Sequence, residues 1–540
     1  MPAISNAFIA DKLLELAQFL AEQKGNAFKV KAYRRAARTI RTMGESFEEL
    51  VRTEADLTHY PGIGTAISKA IQEIVQTGTL RQVEALRTQA SPERAALSAY
   101  PHLDAKRMLR VFKKLNISSV AELKEMLASG EVAQKAGERT AQYVRQGLSE
   151  SGDVLLYEAD RIAAAVETFL LDRCRVTRAE AAGDYRRRVD VISGLSFVVE
   201  TNDIDAVRRR MEEYGGGSSP IRIGLRQATV ENWGSALVAA TGSAKHLRQL
   251  KKSGCSLDGY ADEAGVYRAC GLGFIEPELR EGRGEIELAA RDALPVLVTE
   301  ADIRGELHAH STASDGKNTI GQMAAAARKR GYEYIGITDH SQSLKIARGL
   351  SEHDLWEQIR EIDQWNERLD GVRVLKSAEV DILADGSLDY PDELLKELDY
   401  TVCSIHSRFG LGKAEQTERI LRAMDNRYFT ILGHATGRLL LRRPGYEIDV
   451  KRVVQHARDS GCFFEINSSP DRLDLSAENA RMAAEAGVRI AINTDAHGLR
   501  DFDLIRYGVG QARRAGLARD MVLNCMSWDE LGPLLAGRRM

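Results

Sequence analysis

The sequence predicts a multidomain protein of mixed class: an all-helical N-terminal part, an α+β middle and a C-terminal α/β barrel. Three observations predict it. At 540 residues the chain is several times the usual domain size, so a single hydrophobic core cannot serve all of it. Through the first 150 residues apolar positions such as Leu13, Leu14, Leu16, Phe19 and Leu20 recur at three- and four-residue spacing, the helical period. After about residue 300, short apolar runs alternate with amphipathic stretches such as IGQMAAAARKRG and SAENARMAAEAG, the pattern of repeated βα units.

Composition removes several other classes. A hydrophobic fraction of 44%, a charged fraction of 28% and 11 Pro against 45 Gly belong to an ordinary globular protein, neither disordered nor fibrous. There is no apolar stretch of about 18 residues, and the first segment, MPAISNAFIADKLLELAQFLAEQKGNAFKV, alternates polar and apolar residues. A cytoplasmic protein with no membrane partner is expected. Cys174, Cys255, Cys270, Cys403, Cys462 and Cys525 form no CxxC pair, so reduced thiols are expected rather than a disulfide framework or a thiolate zinc site. The net charge of -3 conceals an asymmetry, because residues 1–150 carry about +5.

In chain order, the basic cluster FKVKAYRRAARTIR puts Lys31, Arg34 and Arg35 on one amphipathic helix. HYPGIGTAISKAI then reads as a tight turn through Pro61, Gly62 and Gly64 that opens a helix, with backbone N–H groups free to meet a phosphate. From about 185 to 285 short apolar runs (LSFVVE, SALVAATG) lie between charged segments, and ALPVLVTEADIRG reads as a connection, with a domain boundary near residue 300.

In the C-terminal part each apolar run ends in metal-ligand residue types: RGELHAH, YIGITDH, VLKSAEVD, YTVCSIHS, FTILGHATG, CFFEINSS and RIAINTDAH. Parallel strands wrapped by helices bring all such ends to one rim. Nine imidazoles and carboxylates are too many for one tetrahedral site, so a two- or three-metal cluster of zinc, manganese or iron is implied. Such a cluster acts as a Lewis acid on a phosphoryl group and supplies hydroxide at neutral pH, which makes phosphate-ester hydrolysis the natural chemistry. His353 and His456, in LSEHDLWEQ and VVQHARD, read as solvated helix residues.

ELHAHSTASDG, GITDHS, AEVDIL, CSIHS, LGHATGR and NTDAHG resemble the motifs of the polymerase-and-histidinol-phosphatase (PHP) phosphoesterase domain. The resemblance implies a distorted (β/α)7 barrel over 303–540 and three divalent ions (Mn2+, Zn2+ or Fe2+). Carried over by motif, His308, His310, Glu379 and Asp495 would hold the first ion. Glu379 would bridge to a second on His406 and His434, and Asp315, His340 and His497 would hold the third. Glu379, Asp495 and His310 are assigned to catalysis, and Arg408, Arg438 and Arg472, adjacent to the motifs, to clamping substrate phosphate.

The order NAFKVKAYRRAA, PGIG, AAGDYRRR, ALVAATGSAKH, PELREGRGEIE and then a PHP domain is similar to that of the bacterial family X DNA polymerases. That likeness implies a helical 8-kDa-like domain with a helix-hairpin-helix (1–90), a fingers-like helical domain (91–150), a degenerate palm and thumb (151–290) and the PHP domain. It also implies contact of Lys31, Arg34, Arg35, Gly62 and Gly64 with gapped or 3′-ended DNA. The family's glycine-serine, its Asp-x-Asp and its third palm aspartate fall here on Asp184, on Gly194 and Ser196, and on Gly224, so the polymerase metals lose their carboxylates. The position of the Schiff-base lysine falls on Ala70, one residue from Lys69, and the second hairpin reads YPHLDAKRM without its glycines. Thr241, Gly242 and Ser243 survive as a remnant of the nucleotide-pocket loop.

The expected function is metal-dependent 3′-5′ exonuclease or 3′-end processing in DNA repair, with an inactive polymerase core. The alternatives are an active polymerase, a phosphatase of small esters such as histidinol phosphate, and a DNA-binding scaffold without turnover.

Overall fold

The computed structural model describes residues 4, 6–22, 27–42, 46–89, 103, 105–117, 119–148, 153–214 and 221–537. They form two compact units, Met1–Phe274 with Leu441–Pro444, and Ile275–Leu440 with Gly445–Met540. Among the described residues no helix is long and apolar enough to cross a membrane.

The first unit opens with helices α1 (Asn6–Glu22) and α2 (Ala27–Thr42), followed after a short helix and a 3-10 turn by α3 (Thr65–Thr77). Ile9, Leu13, Leu16 and Phe19 from α1, Ala36 and Ile40 from α2, and Ile67, Ile71 and Ile74 from α3 share one buried cluster. Each helix spends its three- and four-residue apolar period on this core, which leaves Lys31, Arg34 and Arg35 exposed. Ala70 is in the core and Lys69 is exposed, as their neighbouring positions on one helix require. Further helices run through 105–148 around a separate core of Met108, Phe112, Leu123, Val132 and Val144. Of the glycine-free second hairpin, residues 100–102 and 104 lie outside the described residues.

Helix α4 (Leu156–Arg173) leads into a three-stranded sheet of β1 (Arg178–Ala182), β2 (Gly194–Glu200) and β3 (Arg222–Ala228) in the order β1-β2-β3. β1 pairs antiparallel and β3 parallel to β2. Helices α5 (Trp233–Thr241) and α6 (Ala244–Lys252) follow, and Trp233, Ala236 and Leu237 of α5 pack on Ala182, Val198 and Ala228 of the sheet. The expectation of reduced thiols is corrected at one pair: Cys255 and Cys270 are joined as a disulfide, with the helix Glu263–Ala269 between them. The scattered spacing conceals this contact because the chain between them folds back and brings the two Cα atoms to 5.2 Å. Among the described residues, Cys174, Cys403, Cys462 and Cys525 form no disulfide.

The second unit is a seven-stranded parallel barrel. Its elements are β4 (Gly305–Ala309), α7 (Ile320–Lys329), β5 (Tyr334–Ile337), α8 (Glu352–Asn366), β6 (Arg373–Asp381), β7 (Tyr400–Ser404), α9 (Lys413–Met424), β8 (Ile431–Leu432), α10 (Val450–Ser460), β9 (Phe463–Asn467), α11 (Ala477–Glu485), β10 (Ile490–Asn493) and α12 (Ile505–Ala515). The strands neighbour one another in sequence order. Past the ends of β4 and β10 the circle is drawn together by His310 N–H donating to Ala496 O at 2.8 Å and Ala496 N–H to His308 O at 3.2 Å. Leu307, Leu375, Val402, Ile431 and Ala491 fill the interior, joined by Leu531 and Leu535 of the last helix (Trp528–Gly537), while Ile335, Val380, Ile466 and Ile492 face outward under the helices. Such strands, covered on both faces, read as continuous apolar runs rather than as alternating ones.

Residues 275–290, expected with the palm and thumb, fold with the barrel unit, so the boundary falls earlier than residue 300. Arg513 and Arg514 on α12 pair with Glu278 (2.7 Å) and Glu281 (2.8 Å), both in part-buried contacts. An apolar-periodicity reading has no access to such ion pairs.

Candidate metal centre

Six barrel strands deliver the nine expected ligands to one rim. His308 lies within β4 and His310 just beyond it, His340 follows β5, Glu379 sits near the end of β6, and His406, His434 and Asp495 follow β7, β8 and β10. Asp315 and His497 lie on the loops after β4 and β10. Close contacts connect all nine. Asp495 Oδ1 is 3.1 Å from His310 Nε2 and 3.6 Å from His308 Nε2. Asp315 Oδ1 is 3.2 Å from His497 Nε2, 3.6 Å from His340 Nε2 and 3.9 Å from His310 Nδ1. Glu379 faces five imidazoles: His340 at 2.8 Å, His434 at 2.9 Å, His406 at 3.4 Å, His308 at 3.5 Å and His310 at 3.7 Å.

Three groups have ligand atoms close enough for one ion each: His310, Asp315, His340 and His497; His308, His310 and Asp495; and His340, Glu379 and His406. Their membership differs from the division implied by motif, since His310 and His340 each belong to two groups and His434 joins through its contact with Glu379. His353 and His456 stand outside all three: His353 is exposed and His456 Nε2 bonds Asp425 at 2.8 Å.

The donor set fits divalent ions. His308 Nε2, His310 Nδ1 and His434 Nδ1 are buried without a hydrogen-bond partner, which leaves buried nitrogens whose lone pairs a divalent ion would take up. Two of the rings are also oriented from behind. His308 Nδ1 meets Glu465 Oε1 at 2.6 Å and His406 Nδ1 meets Asp381 Oδ1 at 2.6 Å, so each imidazole turns Nε2 toward the cluster. Neither Glu465 nor Asp381 is among the residues expected from the sequence. The available signal was a carboxylate embedded in an apolar strand, CFFEINSS and VLKSAEVD, where burial without a partner is costly.

The electrostatics favour anionic carboxylates. Burial opposes ionisation of Glu379 and Asp495, but the imidazoles around them, His340 foremost for Glu379 and His308 for Asp495, hold both well below the usual carboxylate range. Against its own partial burial, Asp315 is brought down to about 2 by the His497 hydrogen bond. Burial also opposes protonation of His406 and His497, yet Glu379 raises the first to about 10 and Asp315 the second to about 9. Burial, with the charge of His340 beside it, lowers His310 to about 4. Glu306, raised by burial to about 7, accepts from Thr494 Oγ1 at 2.6 Å and from His308 N–H at 3.0 Å, tying the first strand to the loop after the last.

Of the three expected phosphate-clamp residues, Arg438 is engaged by the chain itself. Its Nε donates to the Arg472 carbonyl at 2.9 Å and its Nη2 to the Leu473 carbonyl, so its guanidinium shapes the loop after β9. Arg408 is exposed on the loop after β7 with φ 57°, and Arg472 is half-buried on the loop that Arg438 holds.

The positions matched to the polymerase carboxylates converge in the first unit. Ser196 on β2 is in register with Gly224 on β3, and Gly194 with Arg222. None of the three carries a carboxylate. Asp184 is paired with Arg187, whose other nitrogen donates to the Thr241 carbonyl. Arg186 binds Glu263 through two contacts of 2.8 Å and Thr241 Oγ1 at 3.2 Å. Ser243 caps α6 by accepting from His246 N–H at 3.1 Å. The Thr241–Gly242–Ser243 loop is thus stitched into the sheet and helices around it. At the hairpin, Gly62 has φ 85° and a Cβ there would meet the Arg35 side chain at 3.0 Å, while nothing lies within 4 Å of one at Gly64, so the first turn of α3 opens to solvent.

A helix-hairpin-helix domain family matches residues 4–80 and the PHP domain family matches residues 306–469. The chain is 33% identical to the DNA polymerase/3′-5′ exonuclease PolX of Bacillus subtilis (strain 168), over 97% of this chain and 98% of that protein. A probable phosphatase of Thermoanaerobacter sp. (strain X514) is 32% identical over 41% of this chain and 89% of its own length. Among solved structures, a histidinol phosphate phosphatase from Lactococcus lactis, complexed with zinc, L-histidinol and phosphate, is 17% identical with a TM-score of 0.31, covering 40% of this chain and 94% of that one. With a PolX relative aligned from end to end, this chain belongs to the PolX family, the bacterial family X DNA polymerases that carry a C-terminal PHP domain.

Proposed function

We propose that the chain is a metal-dependent phosphoesterase that shortens DNA from the 3′ end, within a PolX frame whose polymerase centre is inactive. The observation that carries this reading is the contrast between its two centres: nine clustered imidazoles and carboxylates at the barrel rim, against Gly194, Ser196 and Gly224 side by side on the palm sheet. A two-metal polymerase site needs carboxylates, and among the described residues Asp184 near that sheet is spent on Arg187.

Within the cluster, the nine ligands would hold up to three divalent ions such as Mn2+, Zn2+ or Fe2+. When bound, such ions neutralise phosphoryl oxygens and lower the pKa of water. The residues of the chain do the rest. Glu379 and Asp495 supply the central negative charge, Glu465 and Asp381 fix the ring orientation of His308 and His406, and Arg408 and Arg472, on loops at the rim, are assigned to a substrate phosphate. The functional segments we assign are 1–90 and 91–150 as DNA-holding helical domains, 151–290 as a degenerate palm and thumb whose last residues, 275–290, fold with the barrel unit, and 303–540 as the hydrolase.

The test is one incubation of purified protein with manganese, the four deoxynucleotides and a 5′-labelled primer on gapped DNA, resolved by length. A ladder of shortened primers that disappears with EDTA is expected. Extended primers would return the palm to polymerase work, and turnover of histidinol phosphate without any shortening of DNA would make the protein a small-ester phosphatase.

The hairpin of the first unit is assigned to the DNA backbone. A cleft lined by Lys29, Tyr33, Pro61, Gly62, Gly64 and Thr65 runs beside the open first turn of α3. Replacing Lys31, Arg34 or Arg35 by alanine should weaken binding to gapped DNA regardless of sequence, and the slope of log K against log salt should become shallower by about 0.9 for every phosphate that is no longer neutralised. An unchanged slope in the triple variant would remove this face from the DNA interface.

A further inference from the structure

Between β5 and α8 the chain makes a turn, residues 341–350, that grows directly out of a metal-cluster residue and ends in a tip with no assigned role. Its two arms are fastened at the base: Leu350 N–H donates to the His340 carbonyl at 2.8 Å, and Ser341 bridges to Leu350. Behind it, Asp389 accepts from Ser343 N–H at 2.7 Å and from Ser343 Oγ at 2.5 Å, Gln342 Nε2 donates to the Asp389 carbonyl at 2.9 Å, and Tyr390 Oη donates to the Leu350 carbonyl at 2.7 Å. Gly349 lets the arms close, because a Cβ there would stand 1.9 Å from the Ser341 carbonyl oxygen. The turn is therefore held in one shape before any ligand arrives, and the ordering cost of a loop is already met.

The tip is chemically specific. Ala347 is buried and anchors it, whereas Ile346 is 93% exposed. Lys345 and Arg348 flank Ile346, are exposed, and make no side-chain hydrogen bond or ion pair among the described residues. A single exposed aliphatic side chain is ordinary on a protein surface. One presented between two unpaired cations, on a braced turn whose base bonds a ligand of the metal cluster, suits a chain of phosphates that also carries flat apolar faces.

We propose that this turn positions a nucleic-acid strand end in the barrel. Lys345 and Arg348 hold backbone phosphates next to the scissile one, and Ile346 lies against a base, unstacking the terminal nucleotide so that its phosphodiester reaches the cluster. A small phosphate monoester offers neither the second phosphate nor the base step, so the turn determines specificity for a strand end and takes no part in bond cleavage. The inference rests on the phosphoesterase reading above and deepens it.

The test uses the full chain with manganese and three substrates: a blunt duplex labelled at the 5′ end, a single strand of the same sequence, and bis(p-nitrophenyl) phosphate. Two variants are compared with the parent, Ile346→Ala and the pair Lys345→Ala/Arg348→Ala. The cation pair should raise KM for both DNA substrates about tenfold and flatten the salt dependence. Ile346→Ala should lower kcat on the duplex about tenfold, through loss of the apolar wedge at the terminal base step, and leave the single strand near the parental rate. Both variants should hydrolyse bis(p-nitrophenyl) phosphate like the parent. DNA cleavage unchanged in both variants would overturn the inference and leave the phosphoesterase reading intact, as would a parallel loss on all three substrates, which would make the turn a structural prop of His340. A parent that hydrolyses none of the three would overturn the phosphoesterase reading itself.

Discussion

Glu379→Gln is expected to abolish hydrolysis of DNA and of bis(p-nitrophenyl) phosphate, and to leave the purified protein with a fraction of the parental bound metal, with the barrel still folded. Glu379 is the one carboxylate that faces five of the six clustered imidazoles, at distances from 2.8 to 3.7 Å. It is 2% exposed, and the histidines around it hold its carboxyl well below the ordinary range. The amide keeps the shape and removes the charge, so metal cations meet imidazoles without the anion that offsets them. Stabilisation of phosphoryl charge by metals is on the order of several kcal/mol. At about 1.4 kcal/mol per decade this corresponds to a loss of roughly a thousandfold or more. Atomic absorption gives the metal content, circular dichroism the fold, and the two assays the rate. Parental rates in the variant at saturating manganese would mean that the cluster is not the reacting centre.

The gathering of the nine imidazoles and carboxylates was legible because seven apolar runs each end in the same few residue types, and a parallel barrel has only one rim on which strand ends can meet. The family of the chain and the mixed fold class were legible for the same reason: GITDHS, NTDAHG and PGIG place residues whose chemistry depends on a turn or a strand end, not on distant partners. What the sequence left hidden depends on pairs distant along the chain. Glu465 and His308, 157 residues apart, meet only once β4 and β9 have been placed in the same barrel. The same holds for Arg513 and Glu278, which fold 275–290 with the barrel, and for Arg438, whose adjacency to LGHATG suggested a substrate contact but whose guanidinium is used on the carbonyls of Arg472 and Leu473. Cys255 and Cys270 read as two isolated thiols because nothing in their spacing announces that the turn and the helix Glu263–Ala269 between them bring the pair together. Gly194, Ser196 and Gly224 were readable as residue types, whereas the pairing of Ser196 with Gly224 required the register of two strands.

The second large effect is expected at a residue that reaches the reaction through other groups. Glu465→Gln should lower metal affinity by about 10- to 100-fold while leaving the nine ligands in place. Glu465 is fully buried at the centre of β9, and one oxygen meets His308 Nδ1 at 2.6 Å and Asn493 Nδ2 at 2.9 Å. The other accepts from His434 N–H at 2.8 Å and from Asn467 Nδ2 at 3.2 Å. It thus fixes one ligand by its ring and a second by its backbone, the latter at a residue whose φ of 25° places it in a conformation seldom adopted by side-chain-bearing residues. Burial opposes the charge on Glu465, and His308 nonetheless keeps its carboxyl below the ordinary range, so the Nδ1 proton faces an anion and Nε2 is left to the cluster. The glutamine can still accept through its carbonyl oxygen, but without charge, and if its amide faces His308 it presents a second donor to Nδ1–H. Competition with a chelator would read the affinity directly, and excess manganese should restore much of the lost rate, since the ligands themselves are intact. Parental affinity would assign Glu465 to barrel stability alone, whereas a loss that excess metal does not rescue would place it among the reacting groups.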